Sequence, residues 1–297
     1  MGTNFDSKGW IWGPDVSVMQ GEVPWKDLAD YGASFGIARM QVGNDYKDSA
    51  YKRNVTSMIE NNIVPGGYTF LYPLPHLDPV EEAKRAFQAD DLAQTNEFGD
   101  RVHGTRMPPM IDFEWPLPVV GDTVERGSLH PSIRHLAMSH PTEAQRMLRR
   151  HSSMSRTAAT SQGWRKWGCS PNQLCEWALK HAETTQQLYG QKPIIYWFKW
   201  FTQVIGAARY PEFAKYYQAM ADYPTMGAFP APGRNPYIAP PFDTWSLWQF
   251  DGDNGLTLPN GRDADFNVFN GNRDQFLEFV GAPVAGSETV PGNGGAP

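Results

Sequence analysis

The chain has 297 residues, 40% hydrophobic and 13% aromatic, so it can bury the core of one large domain or two small ones, which excludes a disordered chain. The formal net charge of −6 argues against a dedicated nucleic-acid-binding protein, and no apolar run is long enough for membrane insertion. The charge is uneven, because residues 120–166 hold eight basic and three acidic side chains. An acidic body therefore carries a basic segment.

The amino terminus, "MGTNFDSKGWIWGPD", lacks a basic stretch followed by an apolar one. This pattern predicts no secretory signal, so we expect a soluble protein made in the cytoplasm. The chain has two cysteines, Cys169 and Cys175, whose spacing matches no common zinc or redox motif. The sequence leaves open whether they form a local disulfide or stay reduced.

Strand-like runs alternate with helix-like runs along most of the chain. The strands are predicted at 13–18, 35–42, 66–73, 107–115, 192–198, 216–223, 244–250 and 264–269. The helices are predicted at 24–32, 48–62, 78–94, 171–190 and 272–280. Asp78 and Pro79 are typical of a helix start, and Gly190 is typical of a helix end.

About eight strands alternating with helices predict an α/β fold with parallel strands, an irregular (β/α) TIM-like barrel whose later helices are short. A long insertion at 117–170, rich in His, Arg, Ser and Met, follows the fourth strand. It could form a lid or an extension of a binding site, contact an anionic polymer or another protein through its basic charge, or be a solvated, partly helical excursion. We predict one domain over 1–281 and a Gly/Pro-rich tail or linker over 282–297.

Four acids stand near the ends of predicted strands. Asp112 and Glu114 in "MIDFEW" share one face of their strand, where burying both without partners would be costly. Asp15 and Asp265 lie near the ends of two other strands, so a closed barrel would bring all four carboxylates to one mouth. Crowded like charges raise at least one pKa, which suits a general acid near neutral pH. Spacing alone also fits an ordinary salt-bridged pair.

Several segments together, in order and spacing, resemble glycoside hydrolase family 25, the Chalaropsis-type lysozymes. They are "DVSVMQG", "FGIARMQVGNDYKDSAYKRN", "GGYTF", "MIDFEW", "KPIIYWF", "LWQF" and "DADFNVFNG". The resemblance runs from Asp15 to about Phe279, apart from the insertion. It departs from the family at "YYQAMADYPT", which replaces the usual Leu-Trp-Ile-Ala tract, keeps only the aromatic and the Ala-x-Tyr end, and puts that part of the substrate site in doubt.

The resemblance implies a role for each acid. Glu114 matches the general acid, and Asp112 matches the carboxylate that orients the 2-acetamido group of the substrate. Asp15 and Asp265 match the two other acids of the site. The residues implied to line the substrate site are Tyr68, Tyr196, Trp248 and Gln249. For each aromatic, packing in the barrel is an equal alternative.

Other candidates have simpler interpretations. Asp48 and Asn54 fit a family-like pattern, but capping and local hydrogen bonding explain them better, and Asp263 is typical of a turn. The insertion contains four histidines, His130, His135, His140 and His151. Their spacings of five, five and eleven residues do not place them on one helix face. We therefore expect no metal and no other cofactor.

The resemblance predicts a muramidase that cleaves the β-1,4 bond between N-acetylmuramic acid and N-acetylglucosamine in bacterial peptidoglycan. We expect a phage enzyme, either an endolysin released through a holin or a lysozyme carried among virion proteins. One alternative is a non-catalytic barrel that serves as a phage structural or cell-wall-binding protein. Another is a barrel glycosidase acting on chitin or another glycan.

Overall fold

The computed structural model describes residues 5–43, 46–71, 77–93, 105–113, 170–224, 227–252 and 255–282. The strands in these ranges are β1 (Trp12–Val16), β2 (Phe35–Val42), β3 (Tyr46–Lys47), β4 (Val64–Phe70), β5 (Met110–Asp112), β6 (Ile194–Phe198), β7 (Tyr217–Ala221), β8 (Leu247–Asp251) and β9 (Asp265–Phe269). The helices are α1 (Trp25–Asp30), α2 (Tyr51–Glu60), α3 (Pro79–Ala93), α4 (Pro171–Tyr189), α5 (Lys199–Ile205) and α6 (Arg273–Phe279). None of these helices is long and apolar enough to cross a membrane.

Eight strands close into a barrel in the order β1-β2-β4-β5-β6-β7-β8-β9, with β9 returning to β1. The α/β barrel predicted from the sequence is therefore confirmed. The prediction of all-parallel strands is wrong in one place, since β9 runs antiparallel to both β8 and β1. The connection from β8 to β9 has no helix in its described part and folds back on itself through a bridge between Thr257 and Asp263. A parallel return would need a crossover, usually helical.

The helix ends follow the capping chemistry of the sequence. Asp78 Oδ1 accepts a hydrogen bond from the Val80 amide at 2.8 Å, beside Pro79 at the start of α3. Ser170 and Gln173 form a reciprocal capping box at the start of α4, and Gly190 ends that helix with a φ of +66°. Both ends of α4 are thus determined locally.

The core has an inner and an outer part. We call the mouth the end of the barrel at which the parallel strands finish. Inside the barrel, the opposite end is filled by Phe35, Ile194 and Phe269. Helix α6 closes that end, with the Phe276 and Phe279 rings 5.3 and 5.0 Å from the Phe269 ring. This apolar filling leaves only the other end of the barrel for polar chemistry.

The outer part of the core lies between the barrel wall and the helices. On one side, α1 and α2 bury Trp25, Val55 and Met58 against the wall. Gly36 allows this approach, because a Cβ there would lie 2.6 Å from the Trp25 ring. On the other side, α4 and α5 contribute a separate apolar cluster. The helices thus fix the strands from outside, and the interior can hold polar groups at its mouth.

Candidate active site

Three of the four predicted acids lie at the same end of the barrel. Asp15 is the penultimate residue of β1, and Asp112 is the last residue of β5. Asp265 is the first residue of β9, but β9 runs backwards, so its start lies where the parallel strands end. Asp15 and Asp265 are direct partners in the register of β1 and β9. Glu114 lies outside the described residues.

Asp15 is held by two side-chain amides. Its Oδ2 accepts hydrogen bonds from Gln249 Nε2 at 2.9 Å and from Asn267 Nδ2 at 2.7 Å. Gln249 Oε1 in turn accepts from the Tyr196 hydroxyl at 2.9 Å and from the Tyr223 hydroxyl. Hydrogen bonds donated to a carboxylate favour its charged form. The network therefore favours Asp15 as a fixed negative charge.

Tyr68 connects the acids electrostatically. Burial raises the pKa of its hydroxyl well above the usual value, Arg39 opposes that shift, and the charges of Asp15, Asp112 and Asp48 add to it. Asp112 itself is buried, with 6% of its surface exposed. Tyr68 therefore stays a neutral phenol close to two of the predicted catalytic acids.

A buried ion pair lies beneath this region. Arg39 Nε and Asp48 Oδ2 are 2.9 Å apart, and both side chains are shielded from water. Asp48 also accepts from the amides of Val18 at 3.0 Å and Ala50 at 2.9 Å. Asp48 does not cap α2, whose N-cap is Ala50 without a side-chain cap bond, but it makes the local hydrogen bond to the Ala50 amide. Its ion pair with Arg39 and its bond from the Val18 amide tie it to β2 and to the segment after β1. Asn54 makes a structural contact too, accepting from Trp25 Nε1 at 3.3 Å.

Trp248 does not lie with the other candidates. It is 0% exposed, packs on the outer side of the barrel wall with Trp245, and donates from Nε1 to the Asp222 carbonyl at 2.7 Å. Successive residues of a strand point to opposite faces, so Gln249 inside the barrel requires Trp248 outside. The substrate-lining role implied for Trp248 does not fit this position.

Sequence reasoning missed two residues of the site, Asn267 and Tyr223. Asn267 follows Asp265 by two positions, so strand alternation places it on the same face and could have identified it. Tyr223 ends the Ala-x-Tyr part of the family tract, which could have identified it, but its contact with Gln249 exists because the barrel brings the segment after β7 beside β8. Asp263 lies just after the turn at 259–261 rather than in it: it pairs with Thr257 in an isolated bridge, and its carbonyl accepts from Gln20 Nε2 at 3.0 Å.

In the part of the chain that the structure describes, no three His, Cys, Asp or Glu side chains are placed to hold a metal ion. The four histidines of the insertion and Cys169 lie outside that part. Cys175 is buried in α4. The pairing of the two cysteines therefore stays open, and the predicted insertion at 117–170 and tail at 282–297 lie outside the described residues apart from Ser170 and Ala282.

Comparison with known proteins identifies the family and the fold. The sequence model of glycosyl hydrolases family 25 matches residues 14–257. Lysozyme M1 of Streptomyces globisporus is 29% identical over 109 residues, a match that spans 37% of this chain and 34% of that relative's length.

Two solved structures share the fold. The bacterial lysozyme from Streptomyces coelicolor has a TM-score of 0.61 at 18% identity, covering 91% of this chain and 97% of that one. The muramidase from Acremonium alcalophilum has a TM-score of 0.61 at 19% identity, covering 91% of this chain and 98% of that one. Since the family model matches most of the chain, the protein belongs to glycosyl hydrolases family 25.

Proposed function

We propose that the protein is a muramidase that hydrolyses the β-1,4 bond between N-acetylmuramic acid and N-acetylglucosamine in peptidoglycan. The observation that carries the proposal is the meeting of Asp15, Asp112 and Asp265 at one mouth of the barrel in a chain of this family. A barrel kept only as a scaffold would gain nothing from collecting carboxylates there, because their mutual repulsion is unfavourable.

The proposed reaction uses the substrate's own acetamido group. Asp112 accepts a hydrogen bond from the N–H of that acetamido group. The carbonyl oxygen of the same group attacks C1 of N-acetylmuramic acid as the glycosidic bond breaks. Glu114 donates its proton to the leaving oxygen. Water then attacks C1, Glu114 takes up a proton from that water, and the acetamido group is restored with retained configuration at C1.

The other residues of the mouth support these steps. Asp15, fixed by Gln249 and Asn267, supplies a steady negative charge that favours positive charge developing on the sugar ring. Tyr68 keeps its proton, because burial raises the pKa of its hydroxyl, and it can donate a hydrogen bond within the site. Asp15 and Tyr68 thus contribute an electrostatic field that is already in place before the substrate binds.

The test is digestion of purified peptidoglycan followed by mass spectrometry of the new reducing ends. Muramic acid at those ends supports the proposal, whereas glucosamine ends contradict it. Failure of the wild type to cleave several wall types would instead favour a non-catalytic wall-binding or structural protein. Digestion of chitin in place of peptidoglycan would favour a glycosidase of another specificity.

Two variants test the assigned roles. Glu114→Gln is expected to abolish turnover, because an amide has no proton to donate, and Asp112→Asn is expected to impair it severely. Asp263→Asn is the matched control, since it neutralises a carboxylate of the β8–β9 connection and leaves the backbone contact with Gln20 in place. Near-normal rates for Glu114→Gln would remove that residue from the acid role.

Delivery by a phage, through a holin or on a virion, is a separate proposal that rests on the sequence expectation alone. Expression in the cytoplasm of a wall-bearing host tests the first route. Lysis that requires a co-expressed holin supports an endolysin, and lysis without one contradicts dependence on that route. Labelling of purified virions with an antibody against the protein tests the second route.

A further inference from the structure

Tyr223 is unusual among the aromatic residues of the mouth. Of the large apolar side chains that the structure describes, Tyr31 and Tyr223 are the exposed ones, at 49% and 42%. Tyr31 follows α1 and lies at the closed end of the barrel, whereas Tyr223 follows β7 at the mouth. A Cβ added to Gly252 would lie 3.3 Å from the Tyr223 hydroxyl and 3.1 Å from Asp265 Oδ1. Tyr223 is therefore an exposed ring beside one of the site's acids.

The Tyr223 hydroxyl takes part in the hydrogen-bond network that holds Asp15. Gln249 is 3% exposed, and its Oε1 receives both the Tyr196 and Tyr223 hydroxyls. A phenol near neutral pH donates to the amide oxygen, so the two donors fix which end of Gln249 faces them. Nε2 is then directed at Asp15, 2.9 Å away. Gln249 thus directs its oxygen to the two tyrosines and its amino group to Asp15, so the structure gives it a role inside the protein beside the substrate contact that sequence resemblance implied.

We propose that Tyr223 is a specificity-determining residue that contacts a sugar ring at the entrance, and that Gln249 is a positioning residue linking that contact to Asp15. This inference rests on the proposed muramidase function. An exposed aromatic ring offers the apolar face that sugar C–H groups require, and its hydrogen bond to a buried amide holds the ring still. Tyr196 gives Gln249 the same kind of bond but is only 7% exposed, so it lacks the entrance contact.

The substitution Gln249→Glu tests the link to Asp15. At low pH the introduced carboxyl is protonated and donates to Asp15 as the amide does, but once that proton is lost two carboxylates face each other. We expect the variant's kcat/KM relative to wild type to be highest at acidic pH. Above the apparent pKa of the pair it should fall by up to about tenfold per pH unit.

The other ionisable groups around this pair are the same in both proteins, so the ratio reports the substituted position. They are Asp112, Asp265, Tyr68, Tyr196, Tyr223 and, behind Tyr68, Arg39. Gln249→Leu, which has no donor at any pH, should lose activity by a factor that stays constant as the pH rises above the titration of Asp15. A pH-independent ratio for Gln249→Glu as well would overturn the positioning role, because simple damage to packing produces that result.

Two substitutions of Tyr223 separate its ring from its hydroxyl. Tyr223→Phe keeps the ring and should lower kcat by about two- to tenfold, the range for one lost hydrogen bond, with little change in KM. Tyr223→Ala removes both and should also raise KM. Tyr31→Ala, at the closed end, is the matched control and should retain both constants. Equal kinetics for the Phe and Ala variants would overturn the sugar contact.

A measurement without turnover separates this inference from the proposed function. The carboxyl carbon of Asp15 can be titrated by NMR in the wild type, Gln249→Leu and Tyr223→Phe, with each fold checked by circular dichroism. Loss of the donor should raise the pKa of Asp15 in Gln249→Leu, with a smaller rise in Tyr223→Phe. If the enzyme does not cleave peptidoglycan, these shifts still support the link, and an unchanged Asp15 titration overturns it.

Discussion

Asp15 and Asp265 face each other across β1 and β9, the antiparallel strand pair that closes the barrel. Directly opposed side chains on such a pair have Cβ atoms about 4.5–5.5 Å apart. Two acids are therefore held close at the mouth by the backbone itself. Their electrostatic repulsion opposes folding, so the arrangement of the site lowers the stability of the protein.

Neutralising one of these acids should separate stability from activity. Like charges directly opposite each other destabilise a strand pair by about 0.2–1 kcal/mol. We expect Asp265→Asn to raise the free energy of unfolding by that order and to lower kcat/KM, as measured by urea denaturation and by peptidoglycan turnover. Lower stability together with full activity would contradict an acid retained for function.

Trp248→Phe should lower stability and leave activity unchanged, the opposite of Asp265→Asn. Because Trp248 packs on Trp245 behind the barrel wall and donates to the Asp222 carbonyl, the change removes packing and one hydrogen bond. We expect a loss of about 1–3 kcal/mol in unfolding free energy, with kcat/KM per folded molecule unchanged. Reduced turnover in a variant of normal stability would return Trp248 to the substrate site.

The buried pair of Arg39 and Asp48 should behave as a coupled unit. Removing one partner leaves an uncompensated buried charge, so Arg39→Met is expected to cost about 3–5 kcal/mol of unfolding free energy. The same substitution should cost less in an Asp48→Asn background, as a double-mutant cycle would measure. Lys26→Met breaks the exposed pair with Asp30 and should change stability little. Additive costs for Arg39 and Asp48 would show that their contact is not coupled.

His181 predicts sensitivity to acid. It is buried in α4 beside Trp177 and Thr185, and burial lowers its pKa from 6.5 to about 3. Below about pH 6.5 His181 binds a proton in the unfolded chain, whereas in the folded protein it stays neutral down to about pH 3. The free energy of unfolding therefore falls as the pH drops through this window.

Between pH 7 and pH 5 this residue should account for about 2 kcal/mol of lost stability. Urea denaturation of His181→Leu across this range should give a flatter dependence on pH. Leu174→Ala, which weakens the same helix without removing an ionisable group, should keep the wild-type slope. Identical slopes for His181→Leu and the wild type would assign the acid sensitivity to other groups.

The sequence predicted those features that depend on local chemistry. Strand β2 was predicted with its observed bounds, because the largely apolar run "FGIARMQV" is typical of a buried strand even though it contains Arg39 and Gln41. Asp78 and Gly190 marked helix ends through capping preferences that need no tertiary contact. Strand alternation also requires Trp248 and Gln249 to face opposite ways, but the family resemblance led us to expect both at the substrate site.

Features that depend on chain closure were beyond the sequence. The direction of β9 is set by a connection without a described helix, and that direction carries Asp265 to the mouth. The pairing of Arg39 with Asp48 and the contact of Tyr223 with Gln249 join separate elements, so no periodic pattern indicates them. The mouth can be predicted as a set of strand ends, but its hydrogen bonds require the folded barrel.

Helix α6 seals the barrel end away from the acids, and β1 begins at that same end. A tether attached after position 282 would therefore start on the side facing away from the mouth. Immobilising the enzyme there on a bead or a surface should leave the opening accessible to a polymer as bulky as an intact cell wall.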